Sequence, residues 1–265
     1  MMPENSEEHR NRRGSARPIV IGLTCDSEPR ESGSPGKTTG HIFLRRAYAE
    51  AVVCAGGLPI ILTQERERIR DYVDICDGFI FTGGDDPNME AFGLETHPKA
   101  TRVDLKRQEF EAALLRVLYE ARAKPILGIC LGMQMMCLLR GGVLDQYLPE
   151  ALATHDMHWG KKMHAIAGPI GSGEVLSHHK QAIVEAGEGM TIVGRASDGV
   201  IEAVEDAAFG RMCIGVQWHP ERSGDGDLGI GLIRRLVEGA RGTRNAGVEM
   251  ERNSAVCNAG RNSDG

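Results

Sequence analysis

Short apolar runs alternate with segments of helical spacing through the first 140 residues. Pro18–Leu23 reads as a buried strand, and Thr24–Gly40 as a polar loop rich in Gly, Ser and Pro, placed to cover a site or to move. Ile42–Cys54 carries Phe43, Ala47, Ala51 and Cys54 at helical spacing and ends at Gly56-Gly57, a C-cap pair. Leu58–Leu62 reads as a second buried strand, Glu65–Ile75 as a short charged helix and Gly78–Phe81 as a third strand. Asp104–Arg122 gives the clearest helix, with Phe110, Ala113, Leu114, Val117, Leu118 and Ala121 on one stripe. It leads to a strand at Pro125–Ile129, then at once to Cys130 and a helical segment, Leu131–Arg140. Strand and helix in alternation predict a parallel sheet with right-handed crossovers and helices on both faces.

After Gly141-Gly142 the pattern shortens to strands at Met163–Ile166, Glu174–Leu176, Thr191–Ala196, Val200–Val204 and Met212–Gln217, separated by turn residues. They predict an antiparallel extension of the sheet. Leu228–Val237 reads as a final helix. The fold class is therefore α/β, an open parallel sheet of flavodoxin-like type with helices on both faces and an antiparallel extension. Residues 1–17 have almost no large apolar side chain and read as a disordered tail, 18–240 as one domain, and 241–265, rich in Gly, Asn, Arg and Ser, as a second disordered tail.

Composition narrows the function classes. The 265 residues carry a formal net charge of -6, so no basic surface argues for nucleic acid. No run approaches the ~20 apolar residues of a membrane span, and no signal-peptide core opens the chain, so a cytoplasmic location without membrane association is expected. Seven cysteines without paired spacing do not read as a disulfide framework. Cys54, Cys76, Cys137 and Cys213 read as inert thiols in apolar or mixed segments.

Cys130 differs because it sits on a strand-to-helix corner between Gly128 and Gly132, where side chains would crowd a sharp nucleophile elbow. A thiol with pKa near ~8.5 is only a few per cent ionised at neutral pH, and a helix N-terminus is expected to raise that fraction. Two further strand ends carry chemistry. Gly83-Gly84 can point backbone N–H groups at an oxygen, and His219-Pro220-Glu221 sets a base and a carboxylate two residues apart. Together these supply a nucleophile, a base, an orienting acid and an oxyanion donor, the set needed for acyl transfer. His155, His158, His164, His178 and His179 read as rim residues of the pocket. H-x-x-H at His155–His158 could chelate if helical, but no carboxylate at standard spacing completes a metal site, and neither metal nor cofactor is expected.

G-I-C-L-G-M-Q at Gly128–Gln134 and G-V-Q-W-H-P-E at Gly215–Glu221 resemble the signature of class I glutamine amidotransferase domains. Within that superfamily the chain resembles the γ-glutamyl-γ-aminobutyrate hydrolase type, grouped as peptidase family C26, through I-G-L-T-C-D at Ile21–Asp26, A-G-G-L-P at Ala55–Pro59, T-G-G-D-D at Thr82–Asp86, S-H-H-K-Q-A-I at Ser177–Ile183 and D-G-V-I-E-A-V at Asp198–Val204. The resemblance covers roughly Pro18 to Gly239 and implies Cys130 as nucleophile, His219 as general base and acid, Glu221 as the residue orienting the imidazole, the N–H groups of Gly84 and Leu131 as oxyanion hole, and Gln134 and His179 as substrate contacts. It implies hydrolysis of the γ-glutamyl amide of a small amine through a thioester, with a small-molecule γ-glutamyl substrate; a homodimer is compatible with it. The chain departs from the hydrolase type at Leu131, where Arg is common, at Leu176 in place of Asn, and at Lys180 in place of a second His. Leu131 is usual in ammonia-delivering glutaminases, so a glutaminase subunit serving a partner synthase stays open, as does a non-catalytic binding protein of the same fold.

Overall fold

The structure, a computed structural model, describes residues 17–28 and 40–261, with side chains through Ala246. The expected tail at 1–17 therefore lies outside the described residues apart from Arg17, and most of the Thr24–Gly40 loop does also. In chain order, β1 (Val20–Leu23) leads through the antiparallel pair β2 (Asp26–Ser27) and β3 (Ile42–Phe43) to α1 (Arg46–Cys54), β4 (Leu58–Ile61), α2 (Ile69–Ile75) and β5 (Gly78–Phe81). Then come α3 (Leu105–Ala121), β6 (Ile126–Ile129), α4 (Leu131–Leu138), β7 (Val143–Asp145) and α5 (Leu148–Ala151). The remainder is β8 (Lys162–Gly168), β9 (Gly171–Ser177), β10 (Ala182–Glu185), β11 (Thr191–Ala196), β12 (Ile201–Glu205), β13 (Cys213–Val216) and α6 (Ile230–Arg261).

Nine strands form one sheet in the order β4-β1-β5-β6-β13-β12-β11-β8-β9. β4, β1, β5, β6 and β13 run parallel, and β12, β11, β8 and β9 continue the sheet antiparallel. The α/β sheet with an antiparallel extension is thus the observed architecture. Side-chain alternation builds its two cores. Phe79, Phe81 and Ile126 face α2, α3 and α4 with Phe110, Leu114 and Met133, while Ile80, Leu127 and Ile129 face α1 and α6 with Val52, Leu232 and Leu236.

Several elements differ from expectation. Ile42 and Phe43 are exposed and paired as a strand with Asp26 and Ser27, so the helix begins only at Arg46. β4 is an edge strand with Leu58 and Ile61 exposed rather than a buried one, because only β1 flanks it. α3 buries Arg107, Gln108 and Glu111 beside its apolar stripe, and Ala121 is exposed. β7 and β10, which pair with each other, have no counterpart among the expected strands. The last helix continues through Arg261 instead of ending near Val237, so the expected tail from Arg241 lies within it, residues 262–265 being outside those described. Contacts explain its continuation past Gly239: Ala240 is fully buried, and Arg244 donates to Pro18 O and approaches Asp77 at 3.6 Å.

Candidate active site

Cys130 is the residue on which the local backbone is bent hardest. It caps α4 with φ 52° and ψ -105°, a conformation that costs a side-chain-bearing residue on the order of 1–3 kcal/mol. Its neighbours make the bend feasible. A Cβ on Gly128 would stand 2.5 Å from Met136 Sδ, and one on Gly132 would stand 2.2 Å from Phe81 O, so both glycines are required for α4 to lie this close to β5 and β6.

His219 and Glu221 follow β13, the strand beside β6. His219 Nδ1 lies 2.8 Å from Glu221 Oε1, which also accepts from Arg222 Nε at 3.2 Å. All three of Cys130, His219 and Glu221 are buried, at 6%, 4% and 8% exposure. Cys130 and His219 open onto one cavity of about 190 Å³ and both crowd Gly83, whose ideal Cβ would lie 3.4 Å from Cys130 Cβ and 3.0 Å from His219 Cε1.

The expectation that the helix corner ionises the thiol is corrected. Burial pushes the Cys130 thiol up to about 12; the Leu131 N–H acts against this, and the charges of Glu221, Asp86 and Glu202 add to it. Desolvation outweighs a helix end here because the thiol is buried. Gln217 Nε2 approaches the sulfur at 3.5 Å, and Gln134 Nε2 donates to Gln217 Oε1 at 3.2 Å.

Of the two expected oxyanion donors, the Leu131 N–H acts on the Cys130 thiol in favour of its thiolate. The Gly83 N–H donates to Tyr48 Oη at 2.9 Å, whereas the Gly84 N–H has no acceptor among the described residues. Arg107 sets this glycine turn from beneath. Fully buried, it donates from Nη2 to Thr82 O at 2.9 Å and Gly83 O at 3.1 Å, and it pairs with Glu111 at 2.8 Å and Asp26 at 3.3 Å. Sequence reading missed Arg107; the available signal was an i,i+4 Arg–Glu pair set beside an apolar stripe.

The rim of the cavity is charged, with Asp85, Asp86, Arg45, Lys180 and Arg222 among its lining residues. Burial raises the Asp86 carboxyl to about 6, against a hydrogen bond from the Thr101 N–H, with Asp85 adding to the rise. Trp159 stacks on His178 at 4.1 Å and carries Lys180 Nζ 4.2 Å above its ring. Gln134 and His179 both border the cavity, but the ring of His179 is directed elsewhere: Nδ1 bonds Gln181 O at 2.7 Å and Nε2 faces Glu202 at 3.4 Å without forming a hydrogen bond.

Of the five histidines expected at the rim, His178 and His179 line the cavity, while His155, His158 and His164 do not. His155 stands apart, with Nδ1 3.6 Å from Asp156, and His178 belongs to the tryptophan stack. His158, His164 and the inner side of His179 surround Glu202, a buried carboxylate of β12 that the sequence reading did not connect with them.

The peptidase C26 profile matches residues 19–221. "Putative glutamine amidotransferase Rv2859c" of Mycobacterium tuberculosis is 34% identical over 244 residues, covering 86% of this chain and 77% of that protein. "Putative glutamine amidotransferase-like protein YvdE" of Lactococcus lactis is 30% identical over 195 residues, covering 68% of this chain and 80% of that one. A solved chain from Thermoplasma acidophilum, described as a putative component of GMP synthase, superposes with a TM-score of 0.56 at 15% identity over 90% of this chain and all of that one, a likeness of fold.

Proposed function

This chain belongs to the peptidase C26 family of glutamine amidotransferase-like hydrolases, and on that premise we propose that it hydrolyses the γ-glutamyl amide bond of a small γ-glutamyl-amine through a thioester on Cys130. The observation that carries the reading is the strained turn at Cys130, which aims a buried thiol into the same cavity as the His219–Glu221 pair. With His219 Nδ1 held by Glu221, the other ring nitrogen is the one available for proton transfer.

Because burial keeps the resting thiol protonated, its proton moves to His219 as the sulfur attacks the γ-carbonyl carbon. The oxyanion that forms is stabilised by the N–H groups of Gly84 and Leu131. As the C–N bond breaks, His219 gives its proton to the leaving amine. Water, deprotonated by His219, then attacks the thioester, and glutamate leaves as Cys130 recovers its proton. A cavity of about 190 Å³ is below the ~300–1,000 Å³ of pockets for drug-sized ligands, which suits a glutamyl-sized group. Acidic and basic residues on one rim suit a substrate carrying both an ammonium and a carboxylate.

A second reading, a glutaminase that passes ammonia to a partner synthase, is favoured by Leu131 following the nucleophile. The test is glutamate release by the purified chain from glutamine and from a panel of γ-glutamyl-amines, with Cys130→Ala as control. Turnover of γ-glutamyl-amines by the isolated chain is the expected result. Glutamine hydrolysis only in the presence of a partner supports the second reading, and turnover unchanged in Cys130→Ala overturns both.

A further inference from the structure

His158 lies in the turn after α5, His164 on β8, His179 just after β9 and Glu202 on β12, so four separate segments of the antiparallel half converge on one point. All four side chains are buried, at 0%, 4%, 2% and 0% exposure. Each offers one donor atom, and these atoms lie within 4.8 Å of one another. His158 Nδ1, His164 Nε2 and His179 Nε2 stand 3.1, 3.5 and 3.4 Å from Glu202 Oε1. These approaches do not have hydrogen-bond geometry, and none of the three nitrogens nor either Glu202 oxygen has another partner among the described residues.

The far side of each ring decides what faces inward. His158 Nε2 meets the Asp198 carboxylate at 2.9 Å, His179 Nδ1 meets Gln181 O at 2.7 Å and His164 Nδ1 meets Ala165 O at 3.4 Å. Carboxylate and carbonyl oxygens only accept, so each of those nitrogens carries the hydrogen, and each inward nitrogen of a neutral ring presents a lone pair. With all three rings neutral, three lone pairs and one carboxylate thus face one another with no donor among them. A single extra proton on His158, which lies between the Asp198 and Glu202 carboxylates, would tie one ring to Glu202 and leave the inward nitrogens of His164 and His179 without a donor. One divalent cation satisfies all four at once.

We propose that His158, His164, His179 and Glu202 form a closed four-coordinate site for a first-row divalent metal, with Zn²⁺ the best fit. Metal bonds of ~2.0–2.1 Å to nitrogen and oxygen set tetrahedral ligand-to-ligand edges of about 3.3–3.4 Å, close to the 3.1–3.5 Å that the three histidine nitrogens keep from Glu202, with all four donor atoms inside 4.8 Å of one another. Imidazole and carboxylate donors suit this class of ion. Asp198 and the two backbone carbonyls behind the rings orient the ligands as outer partners do in metal sites. With four protein donors and no open position, the ion is structural: it ties the turn at His158 and the segment after β9, which carry Trp159, His178 and Lys180, to β12.

The test uses the full chain and needs no substrate. After treatment with a chelator, the protein is titrated with Zn²⁺ and, separately, with Co²⁺, reading bound metal, the melting temperature and the visible bands of tetrahedral cobalt. About one equivalent bound per chain, a higher melting temperature and tetrahedral cobalt bands are expected. Asp198→Asn, which leaves the four ligands in place, is expected to weaken affinity by about 10–100-fold, and His164→Ala to abolish the cobalt bands. Absence of uptake by the folded wild-type chain, or equal uptake by wild type and His164→Ala, overturns the proposal. Because none of these readouts involves turnover, the result stands apart from that of the γ-glutamyl assay.

Discussion

Two buried assemblies of imidazole and carboxylate lie among the described residues, and they are built to opposite ends. At the ends of the parallel strands, one histidine and one glutamate meet in a single 2.8 Å bond, and the histidine borders a cavity. In the antiparallel half, three histidines enclose one glutamate and direct their free lone pairs at it. The same two side-chain types therefore give a proton carrier in one place and a cation cage in the other. What separates them is the number of rings per carboxylate and whether a free ring nitrogen faces a cavity or another acceptor.

The sharpest test of that division is Cys130→Ala. It is expected to reduce glutamate release by at least about 10⁴-fold and to leave metal uptake unchanged; a joint loss of both would mean that the two assemblies are one site. Glu221→Gln should lower kcat by about 10²–10⁴-fold through misorientation of His219, again without affecting metal binding, as read by steady-state kinetics and metal analysis. Arg107→Ala addresses how the cavity side is held. Removing this buried cation strands Glu111 and should cost about 3–5 kcal/mol in urea unfolding, and an effect under about 1 kcal/mol would show that the glycine turn does not depend on it.

Asp86→Asn should give the smallest change, and its sign depends on pH. Burial raises this carboxyl from 3.8 to about 6, so folding favours its neutral form. The contribution is present below 3.8 and is lost as the pH rises through about 6. The variant should therefore melt like wild type near pH 4 and about 2–4 °C higher at pH 8, if the difference is ~1 kcal/mol. Lys180 and Gln181 oppose the shift while Asp85 adds to it. Equal melting temperatures at both pH values would show that the carboxylate is not penalised by its surroundings.

The parallel half was readable because each of its parts is local. Apolar runs give the strands, and Gly128 and Gly132 around Cys130 mark the elbow without any distant partner. The identity of His219 and Glu221 as a pair was readable for the same reason, since they stand two positions apart. Glu202 was not: its partners lie 23 to 44 positions earlier in the chain, and only the pairing of β8, β11 and β12 brings them near. The protonation of Cys130 was misread because a helix end can be seen in sequence while the burial of a sulfur cannot. Arg107 was hidden by its charge, which reads as surface until Glu111 and Asp26 are found against it.

The stack at the cavity rim gives the molecule an optical reporter. Of its two tryptophans, Trp218 is fully buried and donates Nε1–H to Leu228 O, so its emission is insulated from solvent. Trp159 lies between an imidazole and an ammonium on the cavity wall, partly open to water. A change in fluorescence on adding ligand therefore reports from one side of the cavity alone, and filling of the site can be followed in the unmodified protein without turnover.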